Sequence, residues 1–225
     1  MTPAKSPEVP LTKTAGHYLE AIYYIAHEGE VPRPGRLAEW LGVSHPTVTV
    51  TLRKLEQAGW LQLAADHSVQ LTRAGEAAAR AVVRRHRLLE RWLVEGLGFD
   101  WAAADREAAA LAPGTSEAVL ERLDEVLGRP LVCPHGNPIP GRGEVPAGAV
   151  RLDLLAMGQE AKVVRISEVA EHEAPPLLLL LHQLGLIPGR RVVVRSGDGE
   201  IGLEVEGQPV GIARSAASVV WVVDF

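Results

Sequence analysis

One cysteine, Cys133, is the whole sulfhydryl content of the chain. No disulfide can form within it, which suits a reducing cytosol. Long apolar runs are missing too. The leucine run, Leu177 to Leu181, is far too short to span a bilayer. The first ten residues, MTPAKSPEVP, hold no apolar core of the kind a secretory signal needs. A cytoplasmic location is therefore expected. A basic excess is also absent: the net charge is -5, so no overall positive field draws polyanions, although a local basic surface is compatible with it. What remains is an ordinary globular profile, 47% hydrophobic and 23% charged, over 225 residues. That length supports a real core and more than one domain.

The proline-containing lead 1–10 has little to pack and reads as disordered. From Thr14, Tyr18, Leu19, Ile22, Tyr23, Ile25 and Ala26 recur at helical spacing. HEGEVPRPGR, 27–36, ends that helix. Leu37, Ala38, Trp40 and Leu41 form a short second helix, and Gly42 can take the left-handed turn that closes it. Ser44 is a good N-cap and Pro46 fits a first turn, so a third helix follows with Val48, Leu52 and Leu55 inward. Trp60 to Leu63 and Ser68 to Leu71 read as two strands around AADH. Two helices joined by a tight turn and followed by a hairpin are the pattern of a winged helix-turn-helix; the same elements also describe a plain three-helix packing unit.

In a helix-turn-helix the second helix enters the major groove with its N-terminal residues on base edges. That places Ser44, Pro46, Thr47, Thr49 and Val50 near bases, and Arg53, Lys54 and Arg73 near phosphates. No Asn, Gln or Arg stands at the tip, so direct readout is weak and DNA shape carries weight. Residues 1–75 hold seven basic and seven acidic side chains. One copy therefore binds weakly, because phosphate neutralisation supplies most of the affinity, and a dimer is expected.

Thr72 opens a long helix that carries VVRRHRLLERWL, 82–93. His86 and Glu90 are four apart and share a face. Imidazole and carboxylate so spaced are half of a transition-metal site, though such pairs often lie solvated on a helix surface. Asp100 and Ser116 can cap two further amphipathic helices, the second over Glu117–Leu127. These three helices need a partner surface, which points to dimerisation. LVCPHGNPIPG, 131–141, sets Cys133 and His135 two apart in a Pro/Gly loop, a pairing of borderline donors or a buried Cys beside a surface His. After a linker, 142–151, five short β-rich runs follow: Ala161–Val169, Arg190–Val194, Gly199–Val205, Gln208–Ala213 and Ser218–Val223. They read as a small barrel of about five strands. EHEAPP adds Glu171, His172 and Glu173 as possible oxygen or nitrogen donors.

HYLEAIYYI, LAEWLGVSHPTVTVTLRKLEQAGWL, HRLLERWLVEGLG and above all CPHGNPIPG resemble the diphtheria-toxin-repressor and manganese-transport-regulator family, from about Leu11 to Val223. LGLIPG and the strands after it resemble the barrel of ferrous-iron transport accessory proteins. The resemblance implies a mainly α N-terminal two-thirds, winged helix-turn-helix plus helical dimerisation domain, followed by a small SH3-like β-barrel. The implied boundaries are 1–74 for DNA binding, 75–141 for metal binding and dimerisation, 142–151 for the linker and 152–225 for the barrel. It implies metal ligands at His86, Glu90, Cys133, His135 and Glu173, with His172 or Glu171 in place of the last if the register slips. A second family site would use His17 and Glu20. Its usual partner positions read Ala109, Ala112 and Pro113, which offer no side-chain donor, so Asp105 and Glu107, a turn earlier, are the substitutes.

The function so implied is a metal-dependent DNA-binding transcriptional regulator of metal homeostasis, a repressor of metal uptake. Mn²⁺ is the favoured ion and Fe²⁺ the alternative, while Zn²⁺ binds in vitro by the affinity order. Its partners are double-stranded operator DNA and a second copy of the chain, with no membrane and no small organic substrate. The alternative is a winged-helix regulator whose metal is structural or absent. An enzyme is not expected: there is no general-base motif such as HExxH.

Overall fold

A computed structural model of the chain describes residues 11–197 and 200–224. The expected disordered lead and part of the SGDG turn lie outside them. The chain divides into two compact units, one ending at Arg85 and the other beginning at His86. The division falls within one continuous helix.

The first unit holds α1 (Lys13–His27), α2 (Pro34–Leu41), α3 (His45–Gln57), β1 (Leu61–Leu63), β2 (Val69–Leu71) and the start of α4 (Arg73–Leu97). Each boundary has a local cause. Thr12 caps α1 and Ser44 caps α3 through their side-chain oxygens. Gly42 closes α2 with φ +61°, a conformation that costs a residue with a Cβ. The Thr72 hydroxyl donates to the Gly59 carbonyl and accepts from the Gly75 amide, tying the hairpin to the start of α4. Leu19, Ile22, Ile25, Leu37, Val48, Leu52 and Leu61 are buried at 1% exposure or less. All but Leu61, on β1, are apolar positions at helical spacing, and their burial is the driving force for the unit. β1 and β2 pair antiparallel, Leu61 opposite Leu71.

The second unit contains the rest of α4, α5 (Trp101–Leu111), α6 (Glu117–Val126), the Leu131–Gly141 loop and a six-stranded antiparallel sheet. Its strands are β3 (Val150–Arg151), β4 (Glu160–Ile166), β5 (Arg191–Ser196), β6 (Glu200–Val205), β7 (Gln208–Ala213) and β8 (Val220–Asp224), in the order β3-β8-β4-β5-β6-β7. Between strands lie α7 (Glu168–Glu173), α8 (Pro175–Gln183) and one turn of helix, α9 (Arg214–Ala217). Asp100 and Ser116 cap α5 and α6 as the sequence indicates.

Three details depart from the sequence reading. The sheet has six strands because β3 forms in the segment read as linker; two residues are too short to leave an alternating pattern. The run expected to continue to Val169 stops at Ile166, since the Ser167 hydroxyl accepts from the Val169 amide and starts α7. The helical and sheet parts are also not separate. Trp101 of α5 sits in the same apolar cluster as Leu152, Val163, Leu178, Leu181 and Val222, which is why they form one unit. Full burial of Leu178 and Leu181 contributes about 1.5–3 kcal/mol each.

Candidate metal centre

The centre of α4 is enclosed on every side: His86, Arg87, Leu88, Leu89 and Glu90 are all buried. An amphipathic helix normally leaves polar residues outward, so three polar side chains turned inside demand partners. Arg87 donates to the Pro138 carbonyl and to Glu168, in a pair whose side chains are both 5% exposed. Arg91, one turn on, donates to the Val132 carbonyl at 3.0 Å. Two arginines of one helix face thus hold both ends of the 131–141 loop.

The loop itself is a tight turn. The Gly136 amide donates to the Cys133 carbonyl at 3.0 Å, with Pro134 between. Gly136 has φ +86°, and a Cβ there would lie 2.1 Å from the Val164 carbonyl oxygen. Only glycine lets the turn approach β4 this closely. The approach is fastened by the Ile166 amide donating to the His135 carbonyl, and by the Asn137 amide group donating to the Ile166 carbonyl and to Glu171.

These interactions converge on four donors. His135 Nδ1 is 2.8 Å from Glu90 Oε1, 3.3 Å from Glu171 Oε1 and 3.9 Å from Cys133 Sγ. All four residues are buried, and one donor atom from each lies within 4.8 Å of every other. A second group joins Glu90 to His86 and Asp105, with His86 Nε2 3.2 Å from Asp105 Oδ1. Trp101 and the His135 ring meet in a T-shaped arrangement with centroids 4.6 Å apart.

The pocket gathers two carboxylates, a thiol and an imidazole in a buried space. Burial, then Glu90 and Glu171, push the Cys133 thiol up to about 12. Burial opposes charge on His135, but Glu171 and Glu90 outweigh it and hold the imidazole's pKa well above its usual value. Burial raises the Glu171 carboxyl, with His135 acting against it. Burial also raises Asp105, yet hydrogen bonding and charge from His86 prevail and its pKa is lowered. Both oxygens of Glu90 are buried without a hydrogen-bond partner, as is Nε2 of His135. The 2.8 Å approach of His135 Nδ1 to Glu90 is an ion pair that lacks hydrogen-bond direction. Unsatisfied buried carboxylate oxygens are costly. One nitrogen, one sulfur and two carboxylates around them fit a divalent transition-metal ion.

The sequence-derived donors distribute as follows. Glu90, Cys133 and His135 come together, and His86 joins through Glu90. Glu173 does not: it is exposed at the end of α7, and Glu171, the alternative, is the residue turned inward. The reason is helical phase. Ser167 starts the helix, Arg87 fixes Glu168 inward, and Glu171 is three residues further on the same face, whereas Glu173 is five. Asp105, expected with His17, instead pairs with His86. His17 is exposed on α1, Glu20 accepts from the Tyr24 hydroxyl, and Glu107 lies beside Arg106; none of the three belongs to either donor group. Arg87 and Asn137 are the residues sequence reasoning missed. An Arg inside the HRLLE run and an Asn between the loop's Gly and Pro were the available signals.

On α3, Ser44, Pro46, Thr47, Thr49, Val50, Arg53 and Lys54 are all exposed, as is Arg73 at the start of α4. Thr49 Oγ1 donates to the His45 carbonyl at 3.0 Å, and Thr47 Oγ1 lies 2.8 Å from Ser44 Oγ.

Family models match nearly the whole chain. The iron-dependent repressor N-terminal DNA-binding domain covers residues 10–69, the iron-dependent repressor metal-binding and dimerisation domain 72–141, and the FeoA domain 150–224. The iron-dependent repressor IdeR of Mycobacterium tuberculosis is 38% identical over 200 residues, 84% of this chain and 86% of that protein. The diphtheria toxin repressor of Corynebacterium diphtheriae is 33% identical over 219 residues, 93% and 96% of the two chains. A solved manganese-dependent transcriptional repressor in complex with manganese superposes with a TM-score of 0.83 at 34% identity, covering 93% of this chain and 99% of the other. Fold and site define the class: a metal-dependent transcriptional repressor with winged-helix, helical and SH3-like parts, not an enzyme. The chain belongs to the iron-dependent repressor family, that of the diphtheria toxin repressor.

The Arg87–Glu168 pair yields a direct test. Removing one partner of a buried ion pair costs about 3–5 kcal/mol, because the charge it balanced stays buried. Arg87→Met should therefore lower stability by roughly that amount in thermal or urea unfolding. Arg87→Met with Glu168→Met should recover most of the stability. Metal affinity should stay about 10–100-fold low in both, since Glu171 is no longer held toward the site. Recovery of affinity in the double variant would show that the pair does not position Glu171.

Proposed function

We propose that the chain represses metal-uptake genes as a homodimer on operator DNA, and that Mn²⁺ switches it on through Glu90, Cys133, His135 and Glu171. One observation carries this reading: four convergent buried donors include a carboxylate, Glu90, with no hydrogen-bond partner. A bound divalent ion supplies the positive charge that lets a thiolate and two carboxylates stay buried together. The chain's own part is to bring α4, the 131–141 loop and α7 to one point and keep water out. The donor set alone does not choose the ion. Manganese is supported by the likeness to the manganese-dependent repressor, and iron is the alternative because IdeR is iron-dependent. Zn²⁺ is expected to bind in vitro through its place in the affinity order.

Dimerisation is supported by the match to a dimerisation domain and by exposed Leu97, Phe99, Leu111, Val119 and Val126 along α4–α6. No described helix is long and apolar enough to cross a membrane. On α3, the Thr49 hydroxyl hydrogen is already given to His45, so Thr49 meets DNA as an acceptor and a methyl group. That suits cytosine or adenine amino groups and thymine methyls. Arg53, Lys54 and Arg73 serve phosphates.

The deciding experiment measures anisotropy of a duplex selected for binding to the chain, with Mn²⁺ and with chelator. Mn²⁺ should tighten binding, and Cys133→Ala should lose that response. Full binding in chelator would overturn metal activation in favour of a regulator whose metal is structural or absent. Arg53→Ala with Lys54→Ala should weaken selected and unrelated duplexes alike. It should also reduce the slope of log affinity against log salt by about one for each phosphate no longer neutralised. Metal affinity should not change; a weakening confined to the selected duplex would place these residues on bases instead.

A further inference from the structure

Asn137 touches two of the four donor residues and is itself fully engaged. Its backbone carbonyl accepts from the Cys133 amide at 2.8 Å. Its side chain is buried and makes three hydrogen bonds. The amide nitrogen donates to the Ile166 carbonyl at 2.9 Å and to Glu171 Oε1, and the amide oxygen accepts from Arg165 Nη1 at 3.0 Å. These partners allow one orientation. A guanidinium can only donate, while a carbonyl and an ionised carboxylate can only accept. The amide oxygen therefore faces Arg165, and the nitrogen faces Glu171. Arg165 is fixed in turn. It lies buried on β4, with its guanidinium carbon 4.7 Å from the centre of the Trp221 ring on β8. The oxygen that Asn137 reaches is also the one that lies 3.3 Å from His135 Nδ1. A carboxylate oxygen has two lone pairs, and the Asn137 hydrogen occupies one of them.

We propose that Asn137 is a positioning residue for the metal centre: it holds Glu171 Oε1 so that the remaining lone pair serves the ion beside His135, and the Arg165–Trp221 stack holds Asn137. This rests on the metal reading above and says how the sheet takes part in it. The pair of Arg87 with Glu168 sets the phase of α7, and Asn137 sets the carboxylate that α7 carries. Asn137 supplies no donor atom of its own, since its oxygen is given to Arg165. No other side chain of its size does the same. Aspartate keeps the acceptor for Arg165 but turns a charge toward Glu171. Leucine keeps the volume but takes an acceptor away from the guanidinium.

The test measures Co²⁺ affinity of the full-length protein by competition with a chromophoric chelator, in wild type, Asn137→Ala, Glu171→Ala and the double variant. Loss of an outer-shell partner costs about 10–100-fold in metal affinity. Asn137→Ala should show that loss when Glu171 is present and none when residue 171 is already alanine. The thiolate-to-cobalt charge-transfer band should persist, because the bond that pins Cys133 comes from the backbone of residue 137. Asn137→Asp keeps the Arg165 contact, replaces the alanine variant where that does not fold, and should likewise lose affinity only while Glu171 is present. Equal losses in both backgrounds would make Asn137 a general support of the loop, and unchanged affinity would remove it from the site; either overturns the proposal. Absence of the sulfur band in wild type would instead overturn the four-donor site itself, so the two failures are separable.

Discussion

Glu90→Gln should abolish metal binding while leaving the fold in place. The amide is nearly isosteric with the carboxylate, so packing around α4 is kept. The negative charge that both donor groups share is removed. Loss of an outer-shell partner alone costs about 10–100-fold in metal affinity, and Glu90 is a direct donor, so a drop beyond about 100-fold is expected. Thermal unfolding gives the readout. A ligand at 100 times its Kd stabilises by about 2.7 kcal/mol, so wild type should melt later with Mn²⁺ and Glu90→Gln should not. The variant should also bind the selected duplex equally with Mn²⁺ and with chelator. A wild-type-like melting shift would remove Glu90 from the site. The converse control is Glu173→Gln, exposed at the end of α7, which should leave metal affinity unchanged.

The second large effect is in pH. In the metal-free protein the Cys133 thiol titrates at about 12 and His135 is held well above its usual range. At neutral pH both carry protons. Metal needs thiolate and neutral imidazole, so binding expels both. Each proton expelled raises affinity tenfold per pH unit. Log affinity for Mn²⁺ should therefore climb with pH, by about 10-fold per unit for the thiol proton and more steeply wherever His135 is also protonated. Cys133→Ser should lower the slope by about one, at lower affinity. A flat profile would mean that neither proton is displaced.

The metal-free fold responds in the opposite sense. His135 has a raised pKa when folded, so its contribution to stability is complete below the unfolded value of about 6.5 and fades as pH rises through the folded value. Cys133, raised likewise, resists the thiolate that the unfolded chain forms above its ordinary range, which also weakens the metal-free fold in alkali. Rising pH thus loosens the apo protein and strengthens metal binding, which widens the difference between the two states.

Much of this was legible in the residues. The helix-turn-helix can be read because Ser44, Pro46 and Gly42 are local signals: a cap, a first-turn proline and a left-handed glycine act through a few adjacent bonds. His86 and Glu90 are legible as a pair because helical spacing alone puts them on one face. Cys133 and His135 are legible because a Pro/Gly turn two residues wide can hardly separate them. The choice between Glu171 and Glu173 was not legible. It depends on the phase of a six-residue helix, set by the Ser167 cap and by a buried pair reaching 81 residues back to Arg87. The contact of Asp105 with His86 was not legible for a similar reason, since nothing local shows that α5 turns it that way.

The sequence by itself determined most of the elements and the helix-turn-helix, because caps, periodicity and short-turn geometry are set by residues near in the chain; it was the family resemblance that joined Glu90, Cys133 and His135 as expected donors. Tertiary structure decided the rest. It turned Glu171 inward, joined Asp105 to His86, and left both Glu90 oxygens without a hydrogen bond between two donor groups. Those outcomes depend on which distant side chains share a desolvated space. Desolvation is a property of the assembled interior, where a carboxylate without a partner costs several kcal/mol that it does not cost in water.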